Sequence, residues 1–343
     1  MSRRRRRRSG GRKPSAKTVA VLSLFFAVYV IAGEWFVHHS RKWLDQYERN
    51  FPFVASMLEF VGNPAADITD GLGITGHDCV YEYDTAAPAG EVLFAGAPVR
   101  VSSPAPDDIV ILDRGDFKVG WSPKLKHPAW VAYHVLRDAK YPVGKRPSKF
   151  STDSQVPSSP AHEDYTNSGY DRGHMAPNYA IVTRYGEWAQ RRTFLMTNIA
   201  PQTAELNRGV WRNLEHRIVD YWTQKYGEIW VIVGGISPEG EMRLIPGTQI
   251  DIPVSYYMLI VAQEGLDVRA MAVLVPQNVD YYAYAARYLL SIDDLEELTG
   301  LDFLPDLPEF ISSPMEAELP SRLWPVRIGD VLNQFFLKYS KAF

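Results

Sequence analysis

Two short stretches of the chain contain side-chain types that could act together on a phosphate. The first, residues 171–178, reads Asp-Arg-Gly-His-Met-Ala-Pro-Asn, and the second contains Asn207 and Glu215. His174 can accept a proton from water near neutral pH, and Arg172 can hold a phosphate by two parallel hydrogen bonds. The amide oxygen of Asn207 suits a hard cation such as Mg²⁺. The combination indicates metal-assisted hydrolysis of a phosphodiester.

One helix is predicted to carry the second stretch, because apolar residues recur at helical spacing from Leu206 to Trp222. Asn207, Trp211 and Glu215 lie four residues apart along it. Each such step turns the helix by about 40°, so the three side chains share one face. A strand carrying His174 and packed on this face would bring imidazole, amide and carboxylate together.

The rest of the chain after residue 91 mixes short strands with few helices. Runs rich in β-branched and aromatic residues predict extended segments at 109–112, 117–121, 130–134, 179–182, 193–199, 228–235, 256–262 and 268–275. A short helix is predicted at 292–299, with Gly300 beyond its end, and a long polar surface loop at 143–169. This mixture favours an α+β fold.

The charge of the chain is unevenly distributed, although the net value is only −3. Residues 1–17 carry nine basic side chains and no acidic one, which leaves 28 basic and 40 acidic side chains in the rest. A protein that binds nucleic acid usually depends on positive surface, so this chain would need a local basic cleft or metal ions. The single cysteine, Cys79, excludes an internal disulfide and a zinc site built on cysteines.

An apolar segment follows the basic tail. Residues 18–37 would form a helix of about 30 Å, long enough to cross a bilayer. The arginines would stay in the cytoplasm and place the chain after His38 on the periplasmic or extracellular side, as a single-pass anchored protein. Two alternatives stay open: a cleaved signal peptide on a secreted protein, and an arginine tail that binds nucleic acid, followed by a buried helix.

The central motifs resemble those of the DNA/RNA non-specific endonucleases of the ββα-metal (His-Me finger) superfamily, which includes secreted bacterial nucleases and mitochondrial endonuclease G. The matching segments are residues 128–133, 171–174, 194–202, 206–207, 211–215 and 299–303. The resemblance covers roughly residues 95–310 and implies a ββα-metal fold with a mixed or antiparallel sheet. The resulting division is a basic tail (1–17), a transmembrane helix (18–37), a connector of unknown role (38–90), an endonuclease domain (91–310) and a C-terminal extension (311–343).

The resemblance also implies a catalytic set. His174 would be the general base and Asn207 the one direct protein ligand of Mg²⁺, with Mn²⁺ as a substitute. Glu215 would hold water molecules of the metal's shell, Arg172 would contact the phosphate, and Asn198 would support these catalytic groups from nearby.

Two further residues have assigned roles. Asp171 would orient its neighbours. Arg146 is the candidate for an additional upstream arginine of the family that binds substrate, and the assignment rests on its position in the loop.

These inferences predict an Mg²⁺-dependent endonuclease that cleaves DNA and RNA with little sequence preference, because base edges play no part in the chemistry. The rival hypotheses are a phosphodiesterase for other substrates and a catalytically silent, membrane-tethered nucleic-acid-binding protein; a homodimer is left open.

Three residues also have a structural interpretation. Asn207 could be a helix N-cap, Glu215 could pair with Arg212 or Arg217, and Trp211 could be a core residue.

Overall fold

The computed structural model describes residues 80–83, 91–106, 108–238, 240–281 and 283–324. No helix in these ranges is long and apolar enough to cross a bilayer. The transmembrane helix predicted at 18–37, the basic tail and most of the predicted connector lie outside the described residues.

The strands are β1 (Tyr81–Glu82), β2 (Val99–Arg100), β3 (Val110–Asp113), β4 (Phe117–Ser122), β5 (His127–Val135), β6 (Asp171–His174), β7 (Ile199–Gln202), β8 (Ile229–Ile236), β9 (Ser255–Glu264), β10 (Asp267–Pro276), β11 (Leu289–Leu290) and β12 (Leu301–Asp302). Eight of them form one large antiparallel sheet in the order β1-β10-β9-β8-β5-β4-β3, with β11 also paired to β10. Separate two-stranded ribbons join β2 to β12 and β6 to β7.

Both faces of the large sheet are buried, because successive side chains of a strand point to opposite faces. On β5, Val131 and Tyr133 enter one core, which we call the near-face core. Trp130 and Ala132 of the same strand enter the other, the far-face core. Burial on both sides explains why these strands are almost continuously apolar in sequence.

Helices cover the two faces unequally. They are α1 (Asn178–Tyr185), α2 (Glu187–Thr193), α3 (Ala204–Arg208), α4 (Val210–His216), α5 (Thr223–Tyr226), α6 (Ile292–Thr299) and α7 (Glu309–Glu316). The first five pack on the near face, through residues such as Ile181 and Leu214. The last two pack on the far face, through Leu295 and Ile311. The predicted α+β class is confirmed, and the strand pairs of the described residues are antiparallel.

Six of the eight large-sheet strands and α6 match their predicted positions, and the six are β3, β4, β5, β8, β9 and β10. No strand was predicted at β1 or β11. Ser291 caps α6 by accepting a hydrogen bond from the Asp294 N–H at 3.0 Å. Gly300 ends the helix in the left-handed conformation, with φ of 68°.

The extended segments predicted at 179–182 and 193–199 are wrong in most of their length. Residues 178–185 form α1, and residues 193–198 complete α2 and a tight turn, so only Ile199 begins a strand. Periodicity alone cannot distinguish a short apolar run in a strand from one in a buried helix. Here Ala180 and Ile181 are buried against the near-face core as part of a helix.

The single helix predicted from Leu206 to Trp222 is interrupted at Gly209. A Cβ atom at this position would lie 2.3 Å from the Glu205 carbonyl oxygen and 2.4 Å from that of Tyr281, so only glycine fits. The chain changes direction between α3 and α4, and a wider π-helical turn, Arg217–Trp222, then connects α4 to α5. The segment is helical as predicted, but it forms successive short helices and not one continuous helix.

The folded unit extends beyond the predicted 91–310 at both ends. Strand β1 pairs with β10, with Tyr81 opposite Val268. At the other end, the Trp324 carbonyl accepts a hydrogen bond of 2.9 Å from the Trp222 indole N–H. Residues on both sides of the predicted domain therefore complete its packing.

Candidate active site

The β6–β7 ribbon carries the first motif at the edge of a cavity. His174, the last residue of β6, lies opposite Ile199 of β7. A Cβ atom on Gly173 would lie 2.2 Å from the Gln202 side-chain oxygen, so any larger residue between Arg172 and His174 would displace the buried Gln202 side chain.

A buried amide fixes the chain immediately after His174. Asn198 donates from Nδ2 to the carbonyl oxygens of Ala176 and Thr193, both at 3.0 Å, and accepts from the Ala176 N–H at 2.9 Å. The Asn198 side chain is fully buried and does not line the cavity. Its placement in the catalytic set is therefore corrected: it is a positioning residue that holds the turn after the histidine.

Helix α3 carries Asn207 and is anchored to the end of β10. Thr203 caps α3 by accepting from the Leu206 N–H at 3.3 Å, and its hydroxyl donates to the Gln277 carbonyl at 2.7 Å. The N-cap is thus Thr203, and the alternative in which Asn207 caps the helix is wrong. Asn207 lies one turn further on, half-buried at the cavity.

The carboxylate of Asp171 connects the ribbon to α3. It accepts from the Asn207 amide Nδ2 at 2.9 Å and from Arg208 by two hydrogen bonds of 2.7 and 2.6 Å. Burial alone would raise the pKa of Asp171, but the hydrogen bonds from Arg208 and Asn207 outweigh it and lower the pKa. Because the amide nitrogen is bound by Asp171, the amide oxygen is left for another ligand.

The ribbon, α1, α3, α4 and the loop before β6 enclose an open cavity of about 490 Å³. It collects six of the seven side chains that the sequence predicted to act at the site. The lining residues include Arg146, Asp171, Arg172, His174, Asn207 and Glu215.

The environment of His174 keeps its ring uncharged. The ring centroids of Phe150 and Phe194 lie 5.2 and 4.9 Å from that of His174. Burial and, secondarily, the positive charge of Arg146 lower the pKa of His174 to about 3. Nε2 is enclosed and has no hydrogen-bond partner among the described residues.

The pKa of Glu215 is shifted in the opposite direction to that of His174. Burial raises its pKa to about 8, and the nearby positive charge of Arg212 reduces the shift. In the absence of a cation, the Glu215 carboxyl group is therefore mostly protonated at neutral pH.

Trp211, on the same helix as Glu215, is buried in the near-face core, as the structural alternative for this residue predicted.

The two predicted arginines reach the cavity by different routes. Arg172 donates from Nε and Nη2 to the His162 carbonyl, at 3.0 and 2.6 Å, and from Nη2 to the Thr166 hydroxyl at 2.8 Å. The loop therefore holds Arg172 in place, and Nη1 takes part in none of these bonds. The Cζ atom of Arg146 lies 5.3 Å from the Phe194 ring centroid.

Several polar residues of the cavity were missed in the sequence. Arg208 directly follows Asn207, and its position next to a candidate ligand was the available signal. Asp220 accepts from the Tyr179 hydroxyl at 3.0 Å and lies 2.9 Å from His216 Nδ1; Tyr179 and His216 both line the cavity. The four-residue spacing of His216 and Asp220 was the signal for that pair.

A family model described as DNA/RNA non-specific endonuclease matches residues 95–310, and the chain belongs to this family. Mitochondrial nuclease EXOG of Danio rerio is 33% identical over 196 residues, 52% of this chain and 56% of that protein. A nuclease of Nostoc sp. is 32% identical over 203 residues, 55% of this chain and 71% of that protein. The chain thus spans little more than half the length of the EXOG relative.

The fold has a solved counterpart in a crystal structure of the EndoG/EndoGI complex. The alignment has a TM-score of 0.55 at 21% identity and covers 66% of this chain and 96% of the other. The resemblance inferred from the motifs is confirmed at the level of family and fold.

We expect Asp171→Asn to reduce activity and apparent metal affinity about 10- to 100-fold, because Asn207 and Arg208 lose the carboxylate that orients them. The free energy of unfolding should fall by no more than about 1 kcal/mol, because Arg208 is 62% exposed and solvent screens the pair. The measurements are plasmid nicking over a Mg²⁺ titration and thermal denaturation. Asp113→Asn, which breaks the ion pair between Asp113 of β3 and Lys118 of β4, is the matched control. Equal activity of the two variants would show that Asp171 has no positioning role.

Proposed function

We propose that this protein is a divalent-metal-dependent endonuclease that hydrolyses phosphodiester bonds of DNA and RNA with little sequence preference. The observation that carries the proposal is the convergence of His174, Asn207 and Glu215 on one cavity that is also lined by arginines. Membership of the endonuclease family supports the substrate class.

His174 is proposed as the general base. A general base must be uncharged before it acts, and burial, which lowers the pKa of His174, keeps its ring neutral in the free protein. The negative charge of a bound phosphate would raise this pKa toward the range in which an imidazole accepts a proton effectively. Because Nε2 is enclosed by protein, we assign the proton acceptor to Nδ1. Phe150 and Phe194 hold the ring between them, so its orientation is set before the substrate arrives.

The donor set of the cavity fits a hard divalent cation. The amide oxygen of Asn207 and the carboxylate of Glu215 are ligand types that Mg²⁺ accepts directly or through water. Asp171 holds the amide of Asn207 through its nitrogen, which orients the oxygen. When bound, Mg²⁺ would neutralise the charge that develops on the phosphate and the leaving oxygen.

Arginines are proposed to position the phosphate. Arg172 is held by the loop carbonyl of His162, and Arg146 lies above Phe194, next to the proposed general base His174. A guanidinium group that binds a phosphate makes no use of the base edges, so these contacts carry no sequence information. This is the physical ground for low sequence preference.

We expect His174→Ala to lower the rate of plasmid nicking about 10²- to 10⁴-fold, because the reaction loses its general base. Supercoiled plasmid is incubated with the full chain in Mg²⁺, and the same protein with a chelator gives the background. Circular dichroism of the variant confirms that it is folded. Parallel assays on single-stranded RNA and a small bis-aryl phosphodiester separate a nuclease from a general phosphodiesterase. Nicking at the wild-type rate by the variant would remove His174 from its assigned role.

The raised pKa of Glu215 predicts how metal binding depends on pH. Below about pH 8 the carboxyl group is mostly protonated, so a cation that needs the carboxylate binds up to about tenfold more weakly per pH unit. Free Mn²⁺ measured by electron paramagnetic resonance at pH 6, 7 and 8 gives the affinity without requiring turnover. Glu215→Gln should bind weakly and with little pH dependence.

Glu296→Gln separates the cavity from a second acidic cluster. Glu296 lies on α6 on the far face, where one carboxylate oxygen each of Asp293, Glu296 and Glu316 lie within 4.8 Å of one another and could also hold the cation. Burial raises the pKa of Glu296 to about 7. The pH dependence assigned to the cavity should persist in Glu296→Gln and disappear in Glu215→Gln, and the reverse result would contradict the assignment.

We also propose that residues 18–37 anchor the protein in a membrane, with the folded part on the non-cytoplasmic side; secretion after cleavage is the alternative. The support is the arginine-rich tail followed by an apolar segment of bilayer length. Full-length protein should remain with membranes after an alkaline wash, and a chain lacking residues 18–37 should not. A reporter fused after residue 343 should be active only outside the cytoplasm. Reporter activity in the cytoplasm would refute this orientation.

A further inference from the structure

A basic loop leads from the large sheet to the cavity. Residues 137–149 carry five basic side chains and one acidic one, Asp138. The basic residues are all exposed, namely Arg137, Lys140, Lys145, Arg146 and Lys149. This contrasts with the chain after residue 17, which has 40 acidic and 28 basic side chains. The loop is therefore a local region of positive charge on a protein that is otherwise acidic.

The loop is held against the ends of α1 and α2. The Lys140 and Tyr141 N–H groups donate to the carbonyl of Thr183, in the last turn of α1, at 2.8 and 3.0 Å. The Tyr141 ring lies against Gly186, between α1 and α2, where a Cβ atom would be 3.3 Å from it. Gly144 lies next to Glu187, the first residue of α2, whose carboxylate oxygen would be 2.9 Å from a Cβ atom on this glycine. Further on, Arg146 lies over Phe194, which follows α2 and contacts His174, so the loop leads from the end of α1 to the cavity.

The solvent-facing side of α2 carries an aromatic ring with a cation on it. Trp188 is 74% exposed, and the Cζ atom of Arg191 lies 5.0 Å from its ring centroid. The Tyr141 ring, 48% exposed, lies beside the start of the same helix. From Trp188 to Phe194 the helix rises about 9 Å, a distance that a few nucleotides span.

We propose that this surface binds one single strand of DNA or RNA where the strand leaves the cavity. We call it the strand track and define it as residues 137–149 together with Trp188 and Arg191. Lysines and arginines of the loop would follow the phosphates, and a base would stack on the Trp188 ring. The inference rests on the proposed function, because it takes nucleic acid as the substrate.

A single strand fits the strand track better than an intact duplex. Aromatic side chains stack on bases only when the bases are not already stacked on their neighbours in a helix. Stacking is tolerant of sequence, because every base has a flat face. The strand track therefore adds affinity without adding sequence preference, in keeping with the phosphate contacts of the cavity.

The test uses the full chain and a fluorescent 30-nucleotide oligothymidylate, with binding measured by anisotropy in a chelator and cleavage measured in Mg²⁺. Trp188→Ala should raise both Kd and KM about tenfold and leave kcat unchanged. Trp188→Phe should retain most of the affinity, because a ring remains. Cleavage of a small bis-aryl phosphodiester, which reaches only the cavity, should not change.

The double variant Lys145→Ala, Lys149→Ala should reduce the slope of log Kd against log salt by roughly 1.4.

Phe310→Ala is the matched control, because Phe310 is also 74% exposed but lies on α7 on the far face. It should leave binding and cleavage unchanged. An unchanged Kd in Trp188→Ala, or an equal loss of binding to closed duplex plasmid, would overturn the strand track. If the wild type binds the oligonucleotide without cleaving it, and Trp188→Ala binds it about tenfold more weakly, the proposed function fails while the strand track is supported. If the wild type cleaves it and Trp188→Ala binds it normally, only the strand track fails.

Discussion

The carboxylate of Asp171 accepts hydrogen bonds from Asn207 and Arg208 at the same time, and it thereby ties the β6–β7 ribbon to α3. The ribbon carries the proposed base and the helix carries the proposed metal ligand, so this one group sets their separation. Asn198 fixes the other end of the ribbon by three hydrogen bonds to the backbone. The site therefore depends on two short polar side chains that do not take part in the chemistry, and both act by holding backbone and side chains in place.

The cavity shifts the pKa values of His174 and Glu215 in opposite directions by the same physical cause. Removal from water disfavours charge, which lowers the pKa of His174 to about 3 and raises that of Glu215 to about 8. Both groups are then mostly neutral at pH 7, and the permanent charges that remain are those of Asp171 and the arginines. The arginines outnumber Asp171 among these charges, which favours the approach of the proposed phosphate.

Much of the site was predictable from the sequence, because the chemistry lies in residue types at fixed spacing. His174, Asn207 and Glu215 were identified in this way, and the cavity contains all three. What could not be predicted depends on contacts between distant parts of the chain. The break at Gly209 is imposed by the approach of the Tyr281 carbonyl, and the pairing of Arg208 with Asp171 joins residues 37 positions apart. The strand predicted in α1 was wrong because an apolar run so short fits a buried helix equally well.

The large sheet separates the described part of the molecule into two layers, one on each of its faces. Strands β5, β8 and β9 contribute alternate residues to the near-face and far-face cores, and the cavity lies on the near side. A change in α6 reaches the cavity through strands that are buried on both faces and closely packed. The segment after α7 continues to the near face, where Leu323 and Trp324 enter the near-face core. The outer surface of α6 is accordingly better placed than that of α7 to accept sequence drift while the reacting groups keep their positions.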